Sequence, residues 1–328
     1  MKRLPIIIIL LLLFSVANST EPQDKPMYAL VIHGGAGVMN KDRMSAESQQ
    51  QYLLHLDRAL AIGDSILRNG GTSTDAVVQV VSYLEDCPLF NAGRGAVFTH
   101  QGRNELDVSI MDGATLNAGA LAGVTRIKNP IRAARQVMDK SGHVMLSGKG
   151  TTQFAREQGL ELVSNRYFKT RERYQSFKQL RRQLRSSNTS DKHGTVGCVA
   201  LDLQGNLVAG TSTGGMTNKK FGRIGDTPVI GAGTWADNRT CAVSCTGHGE
   251  YFIRLTIARD VAAHMEYLRL DLEQAGNRVI EKLTETGGTG GLIALDAKGN
   301  ITMPFNTSGM FRGYLKSTGE KEIAIFGD

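Results

Sequence analysis

The chain has 328 residues, 41% hydrophobic and 21% charged, a balance that supports one large or two modest globular units and excludes a disordered or fibrous chain. Glycine is abundant (38) and proline scarce (7), which points to tight turns and close backbone approaches. The net charge of +7 is not a nucleic-acid-binding face, because residues 166–192 alone carry nine Lys or Arg against Glu172 and Asp191.

The chain opens with Lys2 and Arg3, an apolar run from Ile6 to Phe14, and small or polar residues at Ala17, Asn18 and Ser19. That pattern predicts a secretory signal peptide over 1–19, too short to span a bilayer, and a periplasmic or secreted product with no membrane contact once it is removed. Export permits disulfides, yet Cys241 and Cys245 sit on one predicted strand ~13 Å apart, beyond bridging distance. With Cys87 and Cys198 they read as small buried residues. Met27 to His33 predicts a strand, followed by a glycine loop His33-Gly34-Gly35-Ala36-Gly37. Gln49 to Asn69 has helical spacing through Leu53, Leu56, Leu60 and Leu67, stopped by Gly70 and Gly71. Thr72 or Ser73 caps a second helix, and Pro130 starts a third. Between them, Glu105 to Asp112 alternates as a strand. Residues 165–192 read as a basic linker in which Phe177, Leu180 and Leu184 form at most a transient helix.

After the linker come two hairpins of similar layout, Val196–Asp202 with Leu207–Thr213, and Leu292–Asp296 with Ile301–Phe305. Between them lie a predicted long helix over Glu250–Leu268 and another over Leu272–Leu283. Helices and strands in both halves predict an α/β or α+β protein.

The chemistry concentrates where the linker ends, at His193-Gly194-Thr195-Val196-Gly197. A threonine hydroxyl needs a base before it attacks. If the chain is cut between Gly194 and Thr195, the freed amine supplies one, with a reference pKa of ~7.7–8.0 against ~10.4 for lysine. An internal Thr195 has only an amide nitrogen. Intact chain is therefore expected to be inactive.

Further motifs follow in order: Leu89-Phe90-Asn91-Ala92-Gly93 and Ser109-Ile110-Met111-Asp112-Gly113 upstream, then Thr211 to Met216, Arg223-Ile224-Gly225-Asp226, Gly231-Ala232-Gly233, Ser244 to Gly249 and Pro304-Phe305-Asn306-Thr307. Taken together, over nearly the whole mature chain, they resemble the plant-type asparaginase and isoaspartyl peptidase family of N-terminal-nucleophile hydrolases. The resemblance implies an α+β fold in a four-layer αββα sandwich. Residues 20–194 and 195–328 would form two subunits of that one domain, and two such protomers would pair. It implies self-cleavage at Gly194–Thr195, with Thr195 as nucleophile and Thr213 orienting it. Thr246 and Gly247 would form the oxyanion hole, and Asn91 would stand behind the nucleophile. Arg223 would grip the substrate α-carboxylate, while Asp226 and Gly249 would hold its α-ammonium. Substrates would be the small molecules L-asparagine and β-aspartyl dipeptides, with no nucleic-acid partner. No cofactor is implied for the chemistry. A structural sodium ion is implied in the loop formed by Leu84, Glu85, Cys87, Phe90, Ala92 and Arg94, held mainly through carbonyls. The segment Thr234 to Asn238 is expected near the pocket.

Other readings remain open at this point. A glycosylasparaginase would usually carry Asp where Gly194 stands. A non-enzymatic exported protein would use the basic segment on an acidic surface and leave the Thr and Gly motifs unused. Arg223 and Asp226 would in that case be a surface ion pair. His33, His193 and His248 lack metal-ligand spacing and read as structural, and Asp107 and Asp112 as hydrogen-bonding residues.

Overall fold

The computed structural model describes residues 27–39, 41, 44–183 and 194–327. The predicted signal peptide, His193 and the last part of the basic linker lie outside them. The protein is of the mixed α+β class, with twelve strands, in an eight-stranded and a four-stranded sheet, and eight helices among the described residues.

Strand β1 (Ala29–Gly37) is central to the large sheet, between β11 (Gly309–Lys316) and β5 (Val196–Leu201). The order continues through β6 (Leu207–Thr213), β2 (Leu106–Asp112), β3 (Ala118–Val124) and β4 (Met145–Ser147), with β12 (Lys321–Phe326) outside β11. Only β3 and β4 pair in parallel. The small sheet runs β10 (Ile301–Thr302), β9 (Gly290–Asp296), β8 (Cys241–Gly247), β7 (Thr234–Ala236), all antiparallel.

Strand alternation decides what each face meets. Leu30 and Ile32 of β1, with Val196, Cys198 and Ala200 of β5, pack against α1 (Ala46–Arg68), α2 (Ser73–Asp86) and α3 (Pro130–Lys140). Ala29, Val31, Val199 and Leu201 instead meet Ala242, Ile293 and Leu295 of the small sheet. The other face of that sheet, through Cys241, Val243 and Cys245, packs on α6 (Gly249–Leu255), α7 (Ile257–Leu268) and α8 (Leu272–Glu285). All four cysteines are free and buried, in keeping with their reading as small buried residues.

Four expectations need correction. The glycine motif 33–37 is not a loop: it stays in β1, with a register shift between His33 and Gly35 absorbing the irregularity. The predicted helix 250–268 is two helices. Thr256 takes a left-handed conformation (φ 48°), and the first amides of α7 donate outward, Ala258 to Ala232 O and Arg259 to Gly231 O. Backbone partners from a neighbouring loop thus outweigh helix continuity. Part of the basic linker is ordered. Helix α4 (Lys149–Glu157) is followed by a 3-10 turn (Asn165–Phe168) and by α5 (Arg171–Gln183). Phe168 and Phe177 are buried, and Phe177 stacks on Phe98 with centroids 5.4 Å apart. Leu53, expected on the inner face of α1, is 37% exposed. Among the described residues no helix is long and apolar enough to cross a membrane.

Candidate active site

Thr195 is the residue before β5, and the glycine half of β1 lies against it. Gly35 has φ 110°, and a Cβ there would stand 3.0 Å from Gly194 Cα and 3.1 Å from Thr195 N. Only glycine allows this approach. Thr195 is buried, and its hydroxyl donates to Thr213 Oγ1 at 3.1 Å. Thr213 donates its own proton to the Gly194 carbonyl at 3.0 Å and accepts from Gly215 N at 2.9 Å. Asn91 Nδ2 donates to the same Gly194 carbonyl at 2.7 Å and to Gly215 O at 2.8 Å, while Val97 N holds Asn91 Oδ1 at 2.9 Å. The Gly194–Thr195 peptide carbonyl therefore sits between two donors, with a hydroxyl next to it in sequence. That arrangement polarises a carbonyl toward a nucleophile.

The next residue of β1 joins this corner to β8. Ala36 N donates to Thr246 Oγ1 at 3.2 Å, which leaves the Thr246 proton available to a third group. Gly247 has φ 153°, and a Cβ there would lie 2.4 Å from Thr289 O, so no side chain fits. His33 is fully buried beside the Thr195 backbone, and its Nε2 is 2.9 Å from Ser244 Oγ. Burial lowers its pKa to about 3, so the ring stays neutral. From Ser244 a line of hydroxyls runs between the sheets to Thr211 (2.7 Å), Thr234 (2.6 Å), Ser109 (2.7 Å) and the Thr227 carbonyl (2.6 Å). Thr227 follows Asp226, so the line ends at the charged corner.

There, a Cβ at Gly249 would meet Asp226 Oδ1 at 2.8 Å and Arg223 Nη2 at 2.9 Å, so these three residues converge. Arg223 does not pair with Asp226. Its fork is on Glu250, Nε to Oε1 at 2.9 Å and Nη2 to Oε2 at 2.7 Å. The guanidinium pulls the Glu250 pKa down to about 2, and His248 Nε2 stands 3.3 Å from the same carboxylate. Asp226 behaves oppositely. Burial raises its pKa to about 7 against the pull of its own backbone amide and of Arg223, and its Oδ2 has no hydrogen-bond partner. Nearby, Lys219 Nζ is 3.5 Å from Asp107 Oδ2 in a fully buried pair, and Asp107 Oδ1 accepts from Gly123 N.

All the residues singled out from sequence for chemistry fall into these two corners. Thr195, Gly194, Thr213 and Asn91 are directly bonded, Thr246 and Gly247 adjoin them through β1, and Arg223, Asp226 and Gly249 form the second corner. Sequence reasoning missed Glu250, although it follows Gly249 directly, because nothing local says that a helix-start carboxylate will face Arg223. It also missed Lys219 and the Ser244 line. Asp107 and Asp112 do serve as hydrogen-bond acceptors, Asp112 for Ala114 N and Thr115 N. The segment 234–238 is split: Thr234 belongs to the hydroxyl line, whereas Asn238 accepts from Leu207 N at the far end of β6.

The loop from Leu84 to Arg94 has the character a sodium ion needs. Pro88 has no N–H to give the Leu84 carbonyl at the end of α2. The Glu85, Pro88 and Phe90 carbonyls crowd over two glycines. A Cβ at Gly93 would lie 2.2 Å from Glu85 O, and one at Gly95 1.9 Å from Phe90 O and 2.7 Å from Pro88 O. Such oxygen-lined turns suit a hard cation. Cys87 is less suited through its side chain, since burial raises its thiol pKa and the amides of Leu89 and Phe90 point at the sulfur. The Arg94 side chain is exposed and stands over the Tyr167 ring at 5.9 Å.

A protein-family model described as Asparaginase matches residues 26–325. The chain belongs to the asparaginase family. Among its relatives in that enzyme family is the isoaspartyl peptidase of Escherichia coli, 49% identical over 294 residues covering 87% of this chain and 92% of the relative. A probable isoaspartyl peptidase/L-asparaginase 2 of Arabidopsis thaliana is 42% identical, covering 91% and 99%. The plant-type L-asparaginase of Pyrococcus horikoshii is 41% identical over the same shares.

Proposed function

We propose that this asparaginase-family chain is an exported hydrolase of β-aspartyl dipeptides and of the side-chain amide of L-asparagine, switched on by cutting its own Gly194–Thr195 bond. The names of the relatives support the substrate class. The observation that carries the activation step is the Thr213 hydroxyl, which accepts from Thr195 Oγ1 and donates to the Gly194 carbonyl. Thr195 attacks that carbonyl, Asn91 and Thr213 stabilise the developing oxyanion, and water hydrolyses the resulting ester. The products are a Gly194 carboxylate and a free Thr195 amine.

In the cut enzyme that amine takes the Thr195 proton and the hydroxyl attacks the substrate carbonyl. The free proton of Thr246 and the Gly247 amide then face the oxyanion. Arg223 receives the α-carboxylate in place of Glu250, and Asp226 with Gly249 receives the α-ammonium. A pocket that reads only the aspartyl unit accepts ammonia or an amino acid as leaving group. Gly194 in place of Asp argues against a glycosylated substrate. The layer order αββα, a sodium ion on the carbonyls of the 84–94 loop with a purely structural role, and a pair of cut protomers complete the proposal.

The test is Edman sequencing of the smaller fragment, expected to read Thr-Val-Gly-Cys, with Thr195→Ala expected to stay full length and to lose at least ~10³-fold in turnover. An active preparation with no Thr terminus removes the proposal.

A further inference from the structure

Arg173 lies in the middle of the basic segment, in the first turn of α5, yet its guanidinium is turned inward. Nε donates to Gly95 O at 2.9 Å and Nη2 to Leu89 O at 2.8 Å. These are neutral acceptors. Arg173 forms no ion pair with a carboxylate among the described residues, and burial pulls its pKa below the usual guanidinium value. Among the described residues it is the only charged one lining a cavity of about 90 Å³, whose walls are as much polar as apolar and include Tyr52, Phe90 and Phe311. Gly194 and Asn91 line the same cavity. A cation in such surroundings costs free energy unless an anion joins it.

One anion arises there by the proposed chemistry itself. Hydrolysis of the Gly194–Thr195 bond adds the hydroxyl of water to the Gly194 carbonyl carbon and a proton to the Thr195 nitrogen. Near neutral pH this leaves a carboxylate at the end of the larger fragment, the one that ends at Gly194. If that carboxylate stayed between Asn91 and Thr213, it would remain against the Thr195 hydroxyl that has to meet the substrate. We infer that Arg173 receives the new Gly194 carboxylate in this cavity, parking the severed tail beside the active site. Two of its five N–H donors serve the loop carbonyls, and three are left for the carboxylate, two of them on Nη1. Arg173 is in this sense a positioning residue: it touches neither substrate nor the reacting hydroxyl, and it acts by keeping the tail out of the way.

The inference rests on the self-cleavage reading, and the experiment separates the two. If wild-type protein is active but uncut, that reading has failed and Arg173 is not at issue. In fully cut protein, Arg173→Gln is expected to raise KM about tenfold with kcat unchanged, because an untethered tail carboxylate competes at millimolar effective concentration. Removing the tail afterwards, at a specific protease site placed in residues 186–190, is expected to restore the wild-type KM. A KM that never changes, or a rise that persists after tail removal, overturns the inference; the second result would mean that Arg173 only shapes the 88–95 loop. A measurement on unsubstituted protein guards against a folding defect. With carbonyl-¹³C glycine, Gly194 is the only glycine whose carbonyl becomes a carboxylate. Its resonance is expected to titrate below the ordinary C-terminal range of ~3.3–3.7. Titration within that range overturns the inference as well.

Discussion

The two corners of the site are built from different materials. Around Thr195 the partners are a hydroxyl, a side-chain amide and backbone groups: neutral, buried and mutually bonded, with Thr213 both accepting and donating. Around Asp226 they are ions, and they are poorly matched. Arg223 is on Glu250, while Asp226 is left with a raised pKa and a bare oxygen. A neutral bonded network holds one geometry at every working pH, which suits a reaction inside the chain that happens once. A mismatched ionic corner is incomplete until a zwitterion brings the missing charges, which suits repeated binding and release. Substitutions in the first corner should therefore act on cutting and on turnover together, and those in the second on binding alone.

The largest effect expected from this contrast is at Thr213. Thr213→Val keeps the shape and removes the hydroxyl, and with it one donor to the Gly194 carbonyl and the acceptor for Thr195. Cutting is expected to slow by at least ~10²-fold, the scale of one oxyanion donor, whereas Thr213→Ser should cut near the wild-type rate. A time course on denaturing gels measures this. Cutting at the wild-type rate in Thr213→Val would show that the neutral network does not prepare the peptide for attack.

A smaller effect, in the other corner, is expected at Glu250. It competes for the guanidinium fork that the substrate carboxylate needs, and it is partly exposed, so solvent screens the pair. Glu250→Gln weakens the competitor, since a neutral acceptor bonds roughly half as strongly as a charged one. KM for asparagine is expected to fall about three- to tenfold at low salt, with the rate of cutting unchanged. A raised KM would mean that Glu250 steadies Arg223 for substrate rather than blocking it.

The first corner was far more legible in the sequence than the second. Thr195, Thr213, Thr246 and Asn91 sit in short motifs whose strand positions follow from alternation and turns, and the sheet register then brings Asp107 opposite Thr213 and His33 opposite Gly197. Glu250 was not legible, because its meeting with Arg223 joins a loop to a helix start and no local pattern encodes it. The strand through Gly34 and Gly35 was also hidden. Glycine runs signal turns by propensity, and only the need of Thr195 and Phe90 for a neighbour without Cβ explains them here. Helix α5 was hidden by its charge: the basic residues that suggest a solvated linker lie on its outside, while Phe177 and Arg173 face inward.

The smallest and most discriminating effect is one of stability with pH. Burial holds the pKa of native Asp226 at about 7, against 3.8 for an ordinary aspartate. Between those values the native state keeps a proton that the unfolded chain has lost, so this group makes stability fall as pH rises from about 4 to about 7. Glu250 has the opposite sign. Its pKa is depressed to about 2, so its contribution is present above about 4.5 and is lost as pH falls toward 2. Asp226→Asn removes the first slope and keeps the shape. Its melting temperature is expected to match wild type near pH 4 and to exceed it by roughly 3 °C or more at pH 8, since a kilocalorie moves a chain of this size by about 2–4 °C. Substrate binding should move the other way: kcat/KM of the wild type should drop as pH falls through about 7, where Asp226 takes up its proton and no longer attracts an ammonium. If the variant gains nothing at pH 8, the carboxylate is not strained in the free enzyme. The contrast between a satisfied corner and a waiting one would then reduce to the pairing of Arg223 alone.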